Sequence, residues 1–359
     1  MKFIHYIYSK GSGSMFQDSI KTERYLYGRD KTLLIKDLAK LWFIDIEKIM
    51  RPSSYSRYRN HANKYILPYI GYMEAKSFNR NTLLEVLGFL RSENYKEGPL
   101  SQYTVYILEG MVRSMFRYGA ENKLVPEIYF GKQEYTIVSK KYAMPLSELE
   151  VHQLTHTVEK QNMDLQVQIM LPLYAGLSLS EMCGLRWNDI DLETGKIYVH
   201  RNIMRVQKES KPADKSATVM AEYELPENEC REFLMPEKLN ILLRTIANQK
   251  KVSQESYVAE LYKKEGRGRN PQSSNDATGS RILPPDGRTL QYRLKTAGKQ
   301  AGVYELTFQS LRDTFVVMCL KAGGDVYSVA YVLGINVSAV CDRYKRWIVK
   351  NDGFLKWIG

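Results

Sequence analysis

Residues 51–73 carry Arg51, Arg57, Arg59 and Lys64 and no acidic residue, with Tyr55, Tyr58 and Tyr65 interleaved among them. Guanidinium and ammonium groups neutralise phosphates, and the Tyr hydroxyls with Ser54 and Ser56 can donate further hydrogen bonds, so contact with a phosphate backbone fits this stretch. A solvated basic helix face with its tyrosines half in the core fits it equally well. The whole chain carries 52 Lys and Arg against 40 Asp and Glu, a net charge of +12, with a pI near 9.2. Such a balance favours polyanionic partners over acidic ones.

Other chemistries are poorly supported. Cys183, Cys230, Cys319 and Cys341 include no CxxC pair, so neither a zinc ribbon nor a disulfide framework is expected, and reduced thiols are the default. The five histidines, His5, His61, His152, His156 and His200, form no HExxH cluster. His152 and His156, four apart, read more simply as one solvated helix face than as metal ligands. No metal and no cofactor is expected. No uninterrupted apolar run reaches the roughly 18 residues of a membrane span, and the N-terminus lacks a signal-type apolar core, so a cytoplasmic location is expected.

The elements that must position these residues are mainly helical. Leu33, Leu34, Leu38, Leu41 and Ile44 recur at helical spacing, as do Leu108, Met111, Val112, Met115 and Phe116. Gly119 and Pro126 punctuate the end of the second run, and residues 131–145, closed by Pro145, read as an exposed linker. Ser147 with Glu150 three residues on forms a capping box that opens a new helix. Residues 165–173 suit a buried helix. Gly195-Lys196 leads into Ile197, Val199, Asn202 and Met204, which suit a β-hairpin. Residues 264–287, rich in Gly, Asn, Ser, Pro and Arg, read as a basic loop. Thr307, Asp325 and Ser338 are expected N-caps, and Gly323-Gly324 and Gly334 expected helix stops. The fold class is mainly α with a small antiparallel β-sheet (α+β). The expected organisation is an N-terminal extension (1–29, including a linker-like Gly-Ser-Gly-Ser), a helical domain (30–130), a linker (131–145), a second domain (146–350) and a tail (351–359).

Two segments are far more specific. Ala175-Gly176-Leu177-Ser178-Leu179-Ser180-Glu181-Met182-Cys183-Gly184-Leu185-Arg186-Trp187-Asn188-Asp189-Ile190-Asp191 resembles the tyrosine recombinase signature TGLRxSELxxLxWxDID. Leu306-Thr307-Phe308-Gln309-Ser310-Leu311-Arg312-Asp313-Thr314-Phe315 resembles the family's ITPHDLRHTF box. Downstream, Val332-Leu333-Gly334-Ile335 is similar to the VLGH element, and Asp342-Arg343-Tyr344 falls where the family places its nucleophile. Order and spacing agree over about residues 30–350. The resemblance is to phage- and transposon-type integrases, and it implies a helical core-binding domain and a catalytic-type domain closing around duplex DNA.

In that family a tyrosine hydroxyl attacks a DNA phosphodiester, surrounded by two arginines, a lysine and two histidines, without metal or ATP. Fixed donors aimed at developing charge are usually the largest catalytic term, and guanidinium forks suit phosphate best. The resemblance places the second arginine at Arg312, the nucleophile at Tyr344 and the acidic position at Glu181 or Asp189. The first arginine falls on Ser178, the first histidine on Gln309 and the second on Ile335, so three catalytic positions are degenerate. The β-hairpin lysine aligns with Leu225 or Pro226, through a match at Arg231, and Lys211 or Lys215 replaces it if the register differs. Arg288, Arg293 and Lys295 join Arg51, Arg57, Arg59 and Lys64 as candidate DNA contacts.

The resemblance therefore implies a DNA-binding protein of the tyrosine recombinase family, catalytically impaired and acting as an accessory or regulatory partner in recombination at bacterial nucleoid DNA. An active mobile-element integrase using Tyr344 with a remodelled phosphate pocket is one alternative. A transcriptional or architectural DNA-binding protein is another. Expected partners are double-stranded DNA and an active recombinase or further copies of the chain on DNA, with no membrane. Phe354, Leu355, Trp357 and Ile358 make the tail apolar; such tails pack on a neighbouring protomer or on their own domain.

Overall fold

Why the first helix forms is plain from its apolar spacing. In the computed structural model, α1 (Ile35–Glu47) buries Ile35, Leu38, Ala39, Trp42, Phe43 and Ile46, a stripe recurring every three to four residues. The structure describes residues 32–133, 144–207, 218–260 and 284–348, with the backbone of a short strand pair at 274–275 and 281–282. The chain divides into two compact units, Met1–Lys141 and Tyr142–Gly359. The N-terminal extension, most of the linker, most of the basic loop and the apolar tail lie outside the described residues.

The first unit continues with α2 (Pro52–His61), a π-helical turn (Ala62–Ile66), α3 (Leu67–Ile70), α4 (Arg80–Arg91) and α5 (Gln102–Glu121). The expected α1 face is corrected. Ile44 is exposed and Leu41 only half-buried, because α1 is apolar on several sides and the core takes the larger Trp42 and Phe43 instead. On α5 the expected residues Leu108, Met111, Val112, Met115 and Phe116 are all buried. Gly119 lets α5 approach closely: a Cβ there would lie 2.7 Å from Val125 and 3.0 Å from Leu38. Buried Glu109 pairs with Arg113, whose guanidinium also donates to the carbonyls of Phe130, Gly131 and Lys132, so one side chain anchors the chain leaving the unit.

The second unit holds α6 (Glu148–Glu159), α7 (Met163–Ala175), α8 (Leu179–Gly184), β1 (Ile190–Asp191), β2 (Lys196–Val199), β3 (Arg201–Gln207), β4 (Thr218–Glu224), β5 (Arg231–Leu234) and α9 (Glu237–Lys250). Then come the strand pair β6 (Ser274–Asn275) and β7 (Arg281–Ile282), and α10 (Gly287–Gln300), α11 (Phe308–Lys321), α12 (Val326–Leu333) and α13 (Val337–Tyr344). The strands are antiparallel throughout: β1-β2-β5 form one small sheet, and β3 pairs with β4 from Arg201↔Glu224 to Gln207↔Thr218. The helices pack one core with the sheet, and α11, α12 and α13 share a second around Val316, Leu333, Val340 and Tyr344.

Local capping chemistry sets most helix starts in this unit. Ser147 and Glu150 make the expected capping box on α6, and Thr307 and Asp325 cap α11 and α12. Ser338 does not cap α13; Asn336 occupies that position without a side-chain bond, which leaves Ser338 inside the first turn. Gly334 ends α12 at φ +62°, in the left-handed region that favours glycine.

Candidate active site

Helix α11 is buried along most of its length and carries two charged residues into the interior, Arg312 and Asp313. Its start is pinned by Thr307, whose Oγ1 accepts from the Ser310 backbone N–H at 2.9 Å. Gln309, Arg312 and Asp313, three and four apart, therefore share one helix face. The Arg312 guanidinium donates to Glu181 Oε2 at 3.2 Å and to the carbonyl of Leu333, the last residue of α12.

Glu181 lies in the first turn of α8. Its Oε2 accepts from the backbone N–H of Ser178 at 2.8 Å, and Ser178 Oγ accepts from the Glu181 N–H at 3.3 Å. Ser178, aligned with the family's first arginine, thus serves as the helix N-cap. On its other oxygen Glu181 pairs with Arg231 Nη1 of β5 at 2.9 Å. Burial alone would raise the Glu181 pKa, but Arg231 and Arg312 outweigh it and hold the carboxyl below its ordinary value. One carboxylate thereby joins two guanidiniums drawn from a strand and a helix.

Arg231 is 3 % exposed. Its Nε donates to the carbonyl of Val332 at 2.6 Å, while Nη2 is buried with no hydrogen-bond partner. Gly334 makes room for it, since a Cβ at that position would lie 2.7 Å from Arg231 Nη1. Arg231 entered the sequence comparison only as an alignment point; the structure sets it beside Arg312.

Tyr344, the last residue of α13, is 3 % exposed. Its hydroxyl donates to Asp313 Oδ1 at 2.5 Å. Gln309 Nε2 donates to the same oxygen at 2.8 Å, and Arg343 donates to Asp313 Oδ2. The Arg343 guanidinium also lies over the Tyr344 ring, 5.6 Å from its centroid. Burial pushes the Tyr344 pKa well above its ordinary value of 10.0 and the Asp313 carboxylate pushes it further, against a smaller opposing effect of Arg343 and Arg312. Asp313 and Arg343, each next in the chain to a recognised motif residue, complete its surroundings.

The remaining candidates are spread more widely. Ile335 follows Gly334 and is 37 % exposed. Asp189, the alternative acidic position, pairs instead with Arg201 at 2.8 Å and with His200 at 2.9 Å, so Glu181 is the acid beside Arg312. Leu225 and Pro226 follow β4, where the Leu225 N–H donates to the His200 carbonyl. Lys211 and Lys215 fall in residues 208–217, outside the described residues. Among the candidate DNA contacts, Arg51, Arg57, Lys64, Arg288 and Lys295 are exposed, while Arg59 and Arg293 are half-buried. Helix α2 buries no residue, yet Tyr55, Tyr58 and Tyr65 pack against the first unit's core. Lys64 pairs with Glu97 at 2.6 Å, so the acid absent from residues 51–73 reaches them from elsewhere.

A helical unit and a mixed unit that buries two arginines on the Glu181 carboxylate and a tyrosine on the Asp313 carboxylate define a class of fold, and comparison with known proteins agrees. The family model described as "Phage integrase family" matches residues 145–348, and "Phage integrase, N-terminal SAM-like domain" matches residues 34–83. The chain belongs to the phage integrase family, whose members are tyrosine recombinases. A "Tyrosine recombinase XerC-like" protein of Caldanaerobacter subterraneus is 22 % identical over 92 % of this chain and 85 % of that relative. "Putative defective protein IntQ" of Escherichia coli is 28 % identical over 53 % of this chain and 49 % of that relative. The Tn1549 transposon integrase, solved in complex with a circular intermediate DNA, shares the fold with a TM-score of 0.63 at 14 % identity, over 91 % of this chain and all of that one. A λ integrase tetramer bound to a Holliday junction gives a TM-score of 0.55 at 14 % identity, over 89 % of this chain and 86 % of that one. Among the described residues no helix is long and apolar enough to cross a membrane.

Proposed function

We propose that this protein binds duplex DNA and takes part in site-specific recombination through a strand-cleaving site that still grips a phosphate but cleaves poorly, as a pseudoenzyme-like partner of an active recombinase. The observation that carries this reading is the division of labour inside the site. Arg312 and Arg231 provide guanidiniums, whose planar forks suit a phosphate. The two histidine positions, which would move protons, are replaced. Gln309 can donate a hydrogen bond but cannot shuttle a proton, and Ile335 can do neither. Ser178 offers a neutral hydroxyl already used as a helix cap.

Strand cleavage requires the Tyr344 oxygen to bond to phosphorus while its proton leaves and the departing 5′ oxygen gains one. Asp313 can accept the first proton. Neither Gln309 nor Ile335 can deliver the second. Losing one oxyanion-type donor costs about 10²–10³ in rate, and losses within a cooperating site do not simply multiply. The basic surfaces of α2, with Arg51 and Arg57, and of α10, with Arg288 and Lys295, supply electrostatic attraction to DNA. The DNA complexes of the transposon and λ integrases support the same class of partner.

A second reading, an active mobile-element integrase, draws on one specific observation: Arg231 gives the site a second guanidinium despite Ser178. DNA binding itself is tested by gel shift on duplex DNA from low to moderate salt. The expected result is a complex whose affinity falls steeply as salt rises. No complex at any salt, on random duplex or on mobile-element ends, would overturn the DNA-binding reading.

A further inference from the structure

We propose that Arg231 is a phosphodiester-binding residue that takes over, from strand β5, the place of the cation missing at Ser178. The proposal rests on the reading that this pocket receives a DNA phosphate.

Glu181 is the fixed point. Its carboxylate accepts from the Ser178 backbone, from Arg312 and from Arg231, so the Arg231 guanidinium lies one carboxylate away from both Arg312 and the degenerate position. Arginine presents five donors in a rigid fork. In Arg231 the Nε and Nη1 sides are used by Val332 and Glu181, and Nη2 has no partner despite being buried. An unsatisfied buried donor on a charged group is costly, and it marks where an anionic oxygen would be welcome. Gly334 lies against the Nε, Cζ and Nη1 side of the guanidinium, where a Cβ would lie 2.7 Å from Nη1, so it fixes the fork from the side that Val332 and Glu181 already use.

The test uses the full chain with Arg231→Met, which removes the charge, and Arg231→Lys, which keeps the ion pair to Glu181 but not the fork. Thermal melts report folding, and random-sequence duplex binding is measured over a salt series. For Arg231→Met the slope of log affinity against log salt should become shallower by about 0.9, the value for one phosphate contact. Arg231→Lys should melt near the wild type yet bind about tenfold more weakly, as expected for one charged hydrogen bond. Inorganic phosphate separates the pocket from the DNA surface. Against chloride of equal ionic strength it should raise the wild-type melting temperature more than that of Arg231→Lys. Wild type that shifts no duplex but shows this phosphate difference would overturn the DNA-binding reading and uphold the Arg231 site. Arg231→Lys indistinguishable from wild type in both duplex and phosphate binding would overturn the Arg231 proposal and leave it a structural staple.

Discussion

Replacing Glu181 with Gln keeps the shape of the side chain and removes the only charge that separates Arg231 from Arg312 within their shared contact. The Glu181 side chain is 11 % exposed and that of Arg231 2 %, so solvent can compensate little. Breaking a buried ion pair from one side costs about 3–5 kcal/mol, because the partner charge is left uncompensated. The amide oxygen can still accept from the Ser178 N–H, so the cap adds little to the loss. At about 2–4 °C per kcal/mol for a domain of this size, the second unit should melt about 6–20 °C lower. The pH dependence has a definite sign. The folded-state pKa of Glu181 lies below its ordinary value of 4.5, so between the two values the unfolded chain binds more protons and stability rises with pH. The contribution is fully present above pH 4.5 and is lost as pH falls through the folded-state value. Calorimetry of both proteins from pH 3 to pH 7 should show a smaller difference at the acid end, and added phosphate should narrow the gap at neutral pH by supplying the missing anion. A Glu181→Gln protein within about 1 kcal/mol of wild type at pH 7, well under the cost of breaking a buried pair, would refute the shared-carboxylate account.

Asp313→Asn should lower the Tyr344 pKa, because it removes the carboxylate contribution while burial remains; the tyrosinate absorbance of each protein minus its Tyr344→Phe counterpart, followed through alkaline pH, checks this, and an unchanged titration would contradict it. The sign for stability is the reverse of Glu181: a raised tyrosine pKa contributes below pH 10 and is lost as pH rises through the folded-state value. Gly176→Ala should destabilise the second unit by about 2–4 kcal/mol in denaturant titration, combining left-handed strain with overpacking, since Gly176 sits at φ +63° and a Cβ there would come within 2.5 Å of Phe315. A neutral Gly176→Ala would mean that Gly176 does not lie against Phe315 of α11.

What could be read from the sequence was what is local or motif-bound. The Ser147–Glu150 capping box and the caps at Thr307 and Asp325 depend on a few consecutive residues, so their chemistry is visible in the letters. Ser338 misled because Asn336, two residues earlier, is an equally good starter and the helix begins there. In α1 the stripe through Leu41 and Ile44 and the stripe through Trp42 and Ile46 both satisfy a 3.6-residue period, and only packing chooses between them. The site was half legible. Arg312, Tyr344 and Glu181 lie in recognisable boxes, and the substitution at Ser178 was visible, though not that its hydroxyl had become a cap. The Glu181–Arg312 contact spans 131 positions and Tyr344–Asp313 spans 31. Contacts of that range are set by how α8, α11 and α13 meet, so Arg231 and Asp313 emerge only in three dimensions.

The central claim is that the site holds a phosphate without cutting beside it. Its most direct test is incubation of the full chain with nicked suicide duplexes, mobile-element ends among them, followed by denaturing electrophoresis. The account predicts a shifted DNA complex under native conditions and no protein–DNA adduct after denaturation, with Ser178→Arg, Gln309→His and Ile335→His together gaining some adduct. A denaturation-resistant adduct formed by the unmodified protein and absent in Tyr344→Phe would contradict it, and the protein would count as an active integrase.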